Sequence, residues 1–264
     1  MKTKNVLAAM MCSVCLISLL SGCLKDKESY TSVNVSCPAV VGYQVFSDGK
    51  ASKYLGAFSY GAVIPANISV LDEYNSGDCA TVQFTLDTRD QVTGADYWIG
   101  SDVRLERVEQ TAVAYSKQPE DTTGCSFPIT SVSLHEYYTN AFNYDGKFFV
   151  YITNKVAKTQ KVEYSLQCDW LRTDENGARV MYLKGNVIGV DGAKETTESV
   201  YAFDLNEMFD NPSVWQEYTD EATGNKYRTL KVVLKYFTKT SEDELLYGYV
   251  NNSSSFTVYL YKGY

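Results

Sequence analysis

This sequence reads as an all-β protein whose main architecture is a sandwich. From residue 33 onward apolar and polar residues alternate in short runs. Turn residues recur between the runs, and no apolar pattern of helical period lasts a dozen residues. The first clear strand sets Ala80, Val82, Phe84 and Leu86 against Thr81, Gln83, Thr85 and Asp87, a period of two with one wet face. Tyr97, Ile99, Val103 and Leu105 continue in that style around an expected turn at Gly100-Ser101-Asp102. Residues 116–128 carry two prolines and a glycine without an apolar period, which marks a boundary.

The second half begins with the compact apolar run 148–152. Val162, Tyr164, Leu166 and Cys168 alternate with polar neighbours, and Asp174-Glu175-Asn176-Gly177 turns the chain before Val180-Met181-Tyr182-Leu183. Leu230, Val232, Leu234 and Tyr236 form one face of a further strand, and Phe256, Val258 and Leu260 one face of the last. Other turns are expected at Asn143-Tyr144-Asp145-Gly146, Asp191-Gly192 and Thr223-Gly224-Asn225. Helix is expected only in short pieces, at 205–209 and 241–246.

The first 22 residues are read as a targeting segment. Lys2 and Lys4 precede an apolar stretch that ends in Leu20-Ser21-Gly22-Cys23. This is the layout of a secretory signal, and the closing residues resemble the lipobox of bacterial lipoproteins. That resemblance implies cleavage between Gly22 and Cys23 and acylation of Cys23. Loss of Lys2 and Lys4 takes the formal charge from −8 to −10, an acidic balance that argues against nucleic acid as a partner. No other apolar run is long enough to span a bilayer, so the expected membrane attachment is the lipid alone. Residues 24–32 are polar and read as a tether reaching about 30 Å when extended. Lys25-Asp26-Lys27-Glu28 resembles the charged export signals of surface lipoproteins in Bacteroidetes; a plain solvated linker is the alternative.

Three segments together resemble the NigD-like lipoproteins of Bacteroidales: Leu20-Ser21-Gly22-Cys23, the block Gly77-Asp78-Cys79-Ala80-Thr81-Val82-Gln83-Phe84, and the sandwich-like half around 148–170. The resemblance implies an all-β chain with a small OB-like barrel followed by a C-terminal β-sandwich, after a helical signal peptide. The expected divisions are 1–22 signal peptide, 23–32 acylated cysteine and tether, 33–115 barrel, 116–128 linker and 129–264 sandwich. It implies an outer-membrane, surface-exposed address and no chemistry beyond export and anchoring.

Processing would leave Cys37, Cys79, Cys125 and Cys168, an even number in an exported protein. The pairing Cys37–Cys79 with Cys125–Cys168 keeps each bridge inside one division, each worth roughly 4 kcal/mol in the chain-entropy model. Four buried thiols are the alternative. No metal site is expected, since no Cys-x-x-Cys remains after processing and His135 is the single histidine.

No catalytic residue and no cofactor emerge. Gly56-Ala57-Phe58-Ser59-Tyr60-Gly61 lacks the spacing of a serine elbow. Acidic residues lie scattered on turns, with no pair singled out for glycoside hydrolysis. Asp121-Thr122-Thr123 resembles a short O-glycosylation acceptor, with Thr122 as the modified residue. Tyrosine is the unusual bulk property, at 22 residues, and the densest aromatic cluster includes Tyr137, Tyr138 and Tyr144. Such rings are candidate glycan contacts if two or three lie coplanar on one exposed face. The expectation is a non-enzymatic lipoprotein, held to the outer membrane by lipid, that binds or scaffolds a protein or glycan partner. A carbohydrate-binding lipoprotein of a glycan-uptake system is one alternative. A fimbrial subunit is another, opposed by the first arginine, Arg89, lying inside the expected barrel.

Overall fold

In the computed structural model the described residues are 31–57, 60–122, 125, 127–134, 141–142, 146–221, 224, 226–239, 245–250 and 255–261. Gly22, Cys23, His135, Tyr137, Tyr138 and Tyr144 lie outside them. Strands are numbered in chain order. A closed barrel is formed by β1 (Ser32–Val45), β2 (Ala51–Ala57), β3 (Gly61–Pro65), β4 (Cys79–Asp87) and β5 (Trp98–Arg107), in the order β1-β2-β3-β5-β4. Within it β3 and β5 run parallel, and β4 returns antiparallel to β1.

A four-stranded sheet follows the order β6 (Glu109–Ala112), β13 (Lys194–Asp204), β10 (Lys147–Ala157), β8 (Ser131–Ser133). A larger sheet runs β7 (Ala114–Tyr115), β11 (Gln160–Cys168), β12 (Arg179–Gly189), β15 (Lys226–Lys239), β17 (Phe256–Tyr261), β9 (Ala141–Phe142). β14 (Gln216–Thr219) and β16 (Leu245–Tyr249) add to β15. Among the described residues the α-helix is α1 (Asn206–Asp210).

Burial explains the layering. Phe148, Val150 and Ile152 of β10 point into the sandwich core with Phe203, Leu166, Met181, Leu183, Val232 and Leu234. Phe149, one residue out of phase, joins the barrel cluster with Ala202, Val40, Leu55 and Val82. The run 148–152 is continuously apolar because β10 is covered on both faces, by the barrel on one side and the larger sheet on the other. The four-stranded sheet is therefore the middle layer of three.

This topology corrects the expected fold class of an OB-like barrel followed by a sandwich after a helical signal peptide. The described residues form an all-β fold of three sheets with one five-residue α-helix, α1, and the expected signal peptide, 1–22, lies outside them. Barrel and sandwich do not simply follow one another. β6 and β7 pair in parallel with β13 and β11 before residue 116 is reached, so the sandwich takes edge strands from the first half.

Two local expectations also change. Gly100-Ser101-Asp102 is a bulge inside β5 rather than a turn: pairing jumps between Gln83 and Thr85, and Asp102 holds φ 51°. In the expected helix 241–246, residues 241–244 are outside the described set and Leu245 starts β16.

The expected disulfides are absent; Cys37, Cys79, Cys125 and Cys168 are thiols. Cys37 pairs with Val82 and Cys79 with Val40, three positions apart on the β1–β4 ladder. That separation is about 10 Å along the strands and puts the two side chains on opposite faces. Cys79 Sγ instead lies 3.2 Å from Gln110 Oε1 on β6. Cys168 is fully buried in the sandwich core opposite Met181, whereas Cys125 lies near Lys184 on the other side of β12. The larger sheet stands between them.

Candidate functional site

The outer face of the larger sheet carries a grouping of aromatic and charged side chains. It follows from register. β12 and β15 pair in parallel with Tyr182 opposite Lys235, and β15 and β16 pair antiparallel with Lys235 opposite Tyr249 and Phe237 opposite Tyr247. Residues two apart on a strand share a face, so Val180, Tyr182, Lys235, Tyr247 and Tyr249 project together away from the core.

The Lys235 ammonium lies 5.5 Å from the Tyr182 ring centre, 5.7 Å from that of Tyr247 and 5.0 Å from that of Tyr249. Three rings around one cation form a partial cage. Tyr182 and Tyr247 meet edge to face at 5.1 Å. Gly248 permits this packing of β16, since a Cβ there would sit 2.4 Å from the Tyr236 ring. Burial pushes the Tyr182 hydroxyl above its ordinary range and that of Tyr247 up to about 12. Tyr182 and Tyr247 are therefore neutral at physiological pH, and the electron-rich faces of the three rings surround Lys235.

The described residues of the 116–128 segment lie across the same face. The Tyr247 hydroxyl donates to the Glu120 carbonyl, Lys184 Nζ donates to the Asp121 carbonyl at 2.5 Å, and Phe127 bridges to Gly185. Arg172 pairs with the Glu120 carboxylate at 3.3 Å. Between this strap, the 169–174 turn and the sheet lies a cavity of about 220 Å³, lined by Glu120, Asp169, Arg172, Asp174, Val180, Tyr182 and Lys235 among others. A second hollow of about 540 Å³ opens beside it, with Lys117, Gln167 and Lys184 in its wall. Both carry charges of both signs, and the first adds the Tyr182 ring to its wall.

Thr122 is exposed on the strap, two residues beyond Glu120. Tyr137, Tyr138 and Tyr144 are not part of the described residues, so the aromatic surface that can be located is a different one. Tyr182, Tyr247 and Tyr249 were missed because they are distant in sequence. The available signal was Tyr247-Gly248-Tyr249, an alternation that places two rings on one strand face, and Tyr182 out of phase with core-facing Met181 and Leu183. Among the described residues no group of three or more His, Cys, Asp or Glu side chains is placed to hold a metal ion, and no helix is long and apolar enough to cross a membrane.

No family model matches this chain, and no curated protein matches it. Solved structures do. An uncharacterised protein from Parabacteroides merdae aligns with TM-score 0.55 at 17% identity, covering 86% of this chain and 98% of its own. A candidate lipoprotein from Bacteroides fragilis aligns with TM-score 0.53 at 9% identity, over 84% and 99%. A candidate toxin-related protein from Parabacteroides distasonis aligns with TM-score 0.50 at 16% identity, over 83% and 94%. At these identities the likeness establishes a shared fold: a distant structural relationship to several proteins of these bacteria, not to one family among them.

Proposed function

We propose that this chain is a lipid-anchored outer-membrane protein that binds a protein partner at the cell surface without transforming it. The observation that carries the reading is the outer face around Lys235, where Tyr182, Tyr247 and Tyr249 enclose a cation beside a small cavity. Tyrosine at such a face offers large contact area at low entropic cost, and mixed charges at the rim set orientation. Its walls hold carboxylates that are paired with cations or spread along turns, an arrangement suited to recognition. The anchor is read from Leu20-Ser21-Gly22-Cys23, which resembles a lipobox. Cys23→Ala is expected to move the protein from the membrane to the soluble fraction and to abolish acyl labelling; a membrane-bound, processed variant would refute the anchor.

The binding reading is tested by pull-down of the full anchored chain against envelope extract, with Lys235→Ala/Tyr249→Ala as comparison. A partner captured by the wild type and lost by the double variant is expected; undiminished capture by the variant would overturn the site. A glycan is the second reading, favoured by the Tyr182 ring and the carboxylates of Glu120, Asp169 and Asp174 around a cavity of about 220 Å³. It is opposed by the 71° angle between Tyr182 and Tyr247, which denies a flat platform. A glycan array separates the two.

A further inference from the structure

One end of the sandwich interior collects hydrogen-bond donors that have no acceptor. Arg179 opens β12 on the core face, the face of Met181 and Leu183, and is only 8% exposed. Its Nη2 donates to the Ser213 carbonyl at 3.0 Å, while Nε and Nη1 are sealed from solvent and bonded to nothing. Trp170 follows Cys168 by two residues, and continuing the β11–β12 register sets it opposite Arg179. Its indole Nε1 is buried and unbonded as well. Trp215, two residues beyond Ser213, has the same orphaned indole N–H. Arg228 lays its guanidinium over the Trp215 ring at 4.6 Å, and its own Nε finds no acceptor.

These five atoms are all of the buried side-chain nitrogens and oxygens without a partner among the described residues, and every one is a donor. Scattered packing faults would orphan donors and acceptors alike, in unrelated places. Here Arg179, Trp215 and Arg228 are linked through the 213–215 segment, and the β11–β12 register sets Trp170 opposite Arg179. Neither Arg179 nor Arg228 forms an ion pair among the described residues. Water would satisfy N–H groups but leave the buried positive charge uncompensated; an oxyanion does both.

We propose that this end of the sandwich binds a small oxyanion, a carboxylate or phosphate group, through Arg179 and the indole N–H groups of Trp170 and Trp215, with Arg228 at the edge. The site lies on the core side of the larger sheet and is independent of the outer face around Lys235. Its ligand is recognised by charge and acceptor atoms rather than by ring contact.

The test is a titration of the detergent-solubilised full chain with sodium phosphate or sodium acetate, against sodium chloride at matched ionic strength. Thermal midpoint and the indole N–H resonances of the three tryptophans are followed together. The expected result is a saturable rise in midpoint with one of the two oxyanions, and displacement of the Trp170 and Trp215 resonances while that of Trp98 stays put. Arg179→Met should abolish both responses. Without oxyanion it should be at least as stable as wild type, so the two proteins exchange rank when the anion is added. Equal, non-saturating responses to all three salts would mean that water fills the site and would overturn the proposal. If Arg179→Met fails to fold, the wild-type titration alone decides.

Discussion

Arg89 grips Asp87 from three directions: Nη2 to Oδ2 at 2.5 Å, Nε to Oδ1 at 2.9 Å, and its backbone N–H to Oδ1 at 2.9 Å. These bonds hold the Asp87 carboxyl at about 2, below its ordinary 3.8. A depressed folded value stabilises the protein above the ordinary value, and that contribution disappears as pH falls through the folded one. Arg89→Ala is therefore expected to raise the pH of acid unfolding, read by circular dichroism between about pH 4 and 2. Cysteines behave in the opposite way. Burial pushes the Cys168 thiol up to about 12 and raises that of Cys125 as well, although Cys125 is only half-buried. Native-state maleimide labelling should modify Cys125 first, and intact mass should be the same with and without reductant. The sequence counted the cysteines correctly but could not say which face each occupied. Cys37 and Cys79 are separated by an odd register step, and that step is set by β1–β4 pairing rather than by spacing in the chain.

At the scale of elements, strands with one wet face were legible. Ala80, Val82, Phe84 and Leu86 are all buried, as are Leu230, Val232 and Leu234. What could not be read was any feature decided by a distant partner. β10 looks like one apolar run because two different layers cover it, and β6 and β7 are too short to announce themselves without β13 and β11 beside them. Tyr247 and Tyr249 show the same limit. Alternation marks them as neighbours on one face, but only the β15–β16 register brings Lys235 between them. Gly189 ends β12 at the open end of the β11–β12 hairpin, opposite Gln160, and holds φ 112°, where a Cβ would lie 2.2 Å from the Thr159 carbonyl oxygen. Gly189→Ala is expected to destabilise the protein by about 1–3 kcal/mol, measured from the urea midpoint.

Across the whole molecule the middle sheet couples the layers. Phe149 is 1% exposed and sits with Ala202 in the barrel cluster, although both belong to sandwich strands. Phe149→Ala should cost about 3–5 kcal/mol. Because barrel and sandwich bury this contact jointly, wild type should melt in one calorimetric transition and the variant in two; two transitions in wild type would refute the coupling. The strap over the outer face has a further consequence. Lys117 is exposed on it, while β6 and β7, just upstream, are already zipped into the two sandwich sheets. A single tryptic cut after Lys117 would thus divide the polypeptide without releasing either piece. The fragments should co-elute in gel filtration and part only in denaturant, behaving as a naturally split protein that reassembles from its halves.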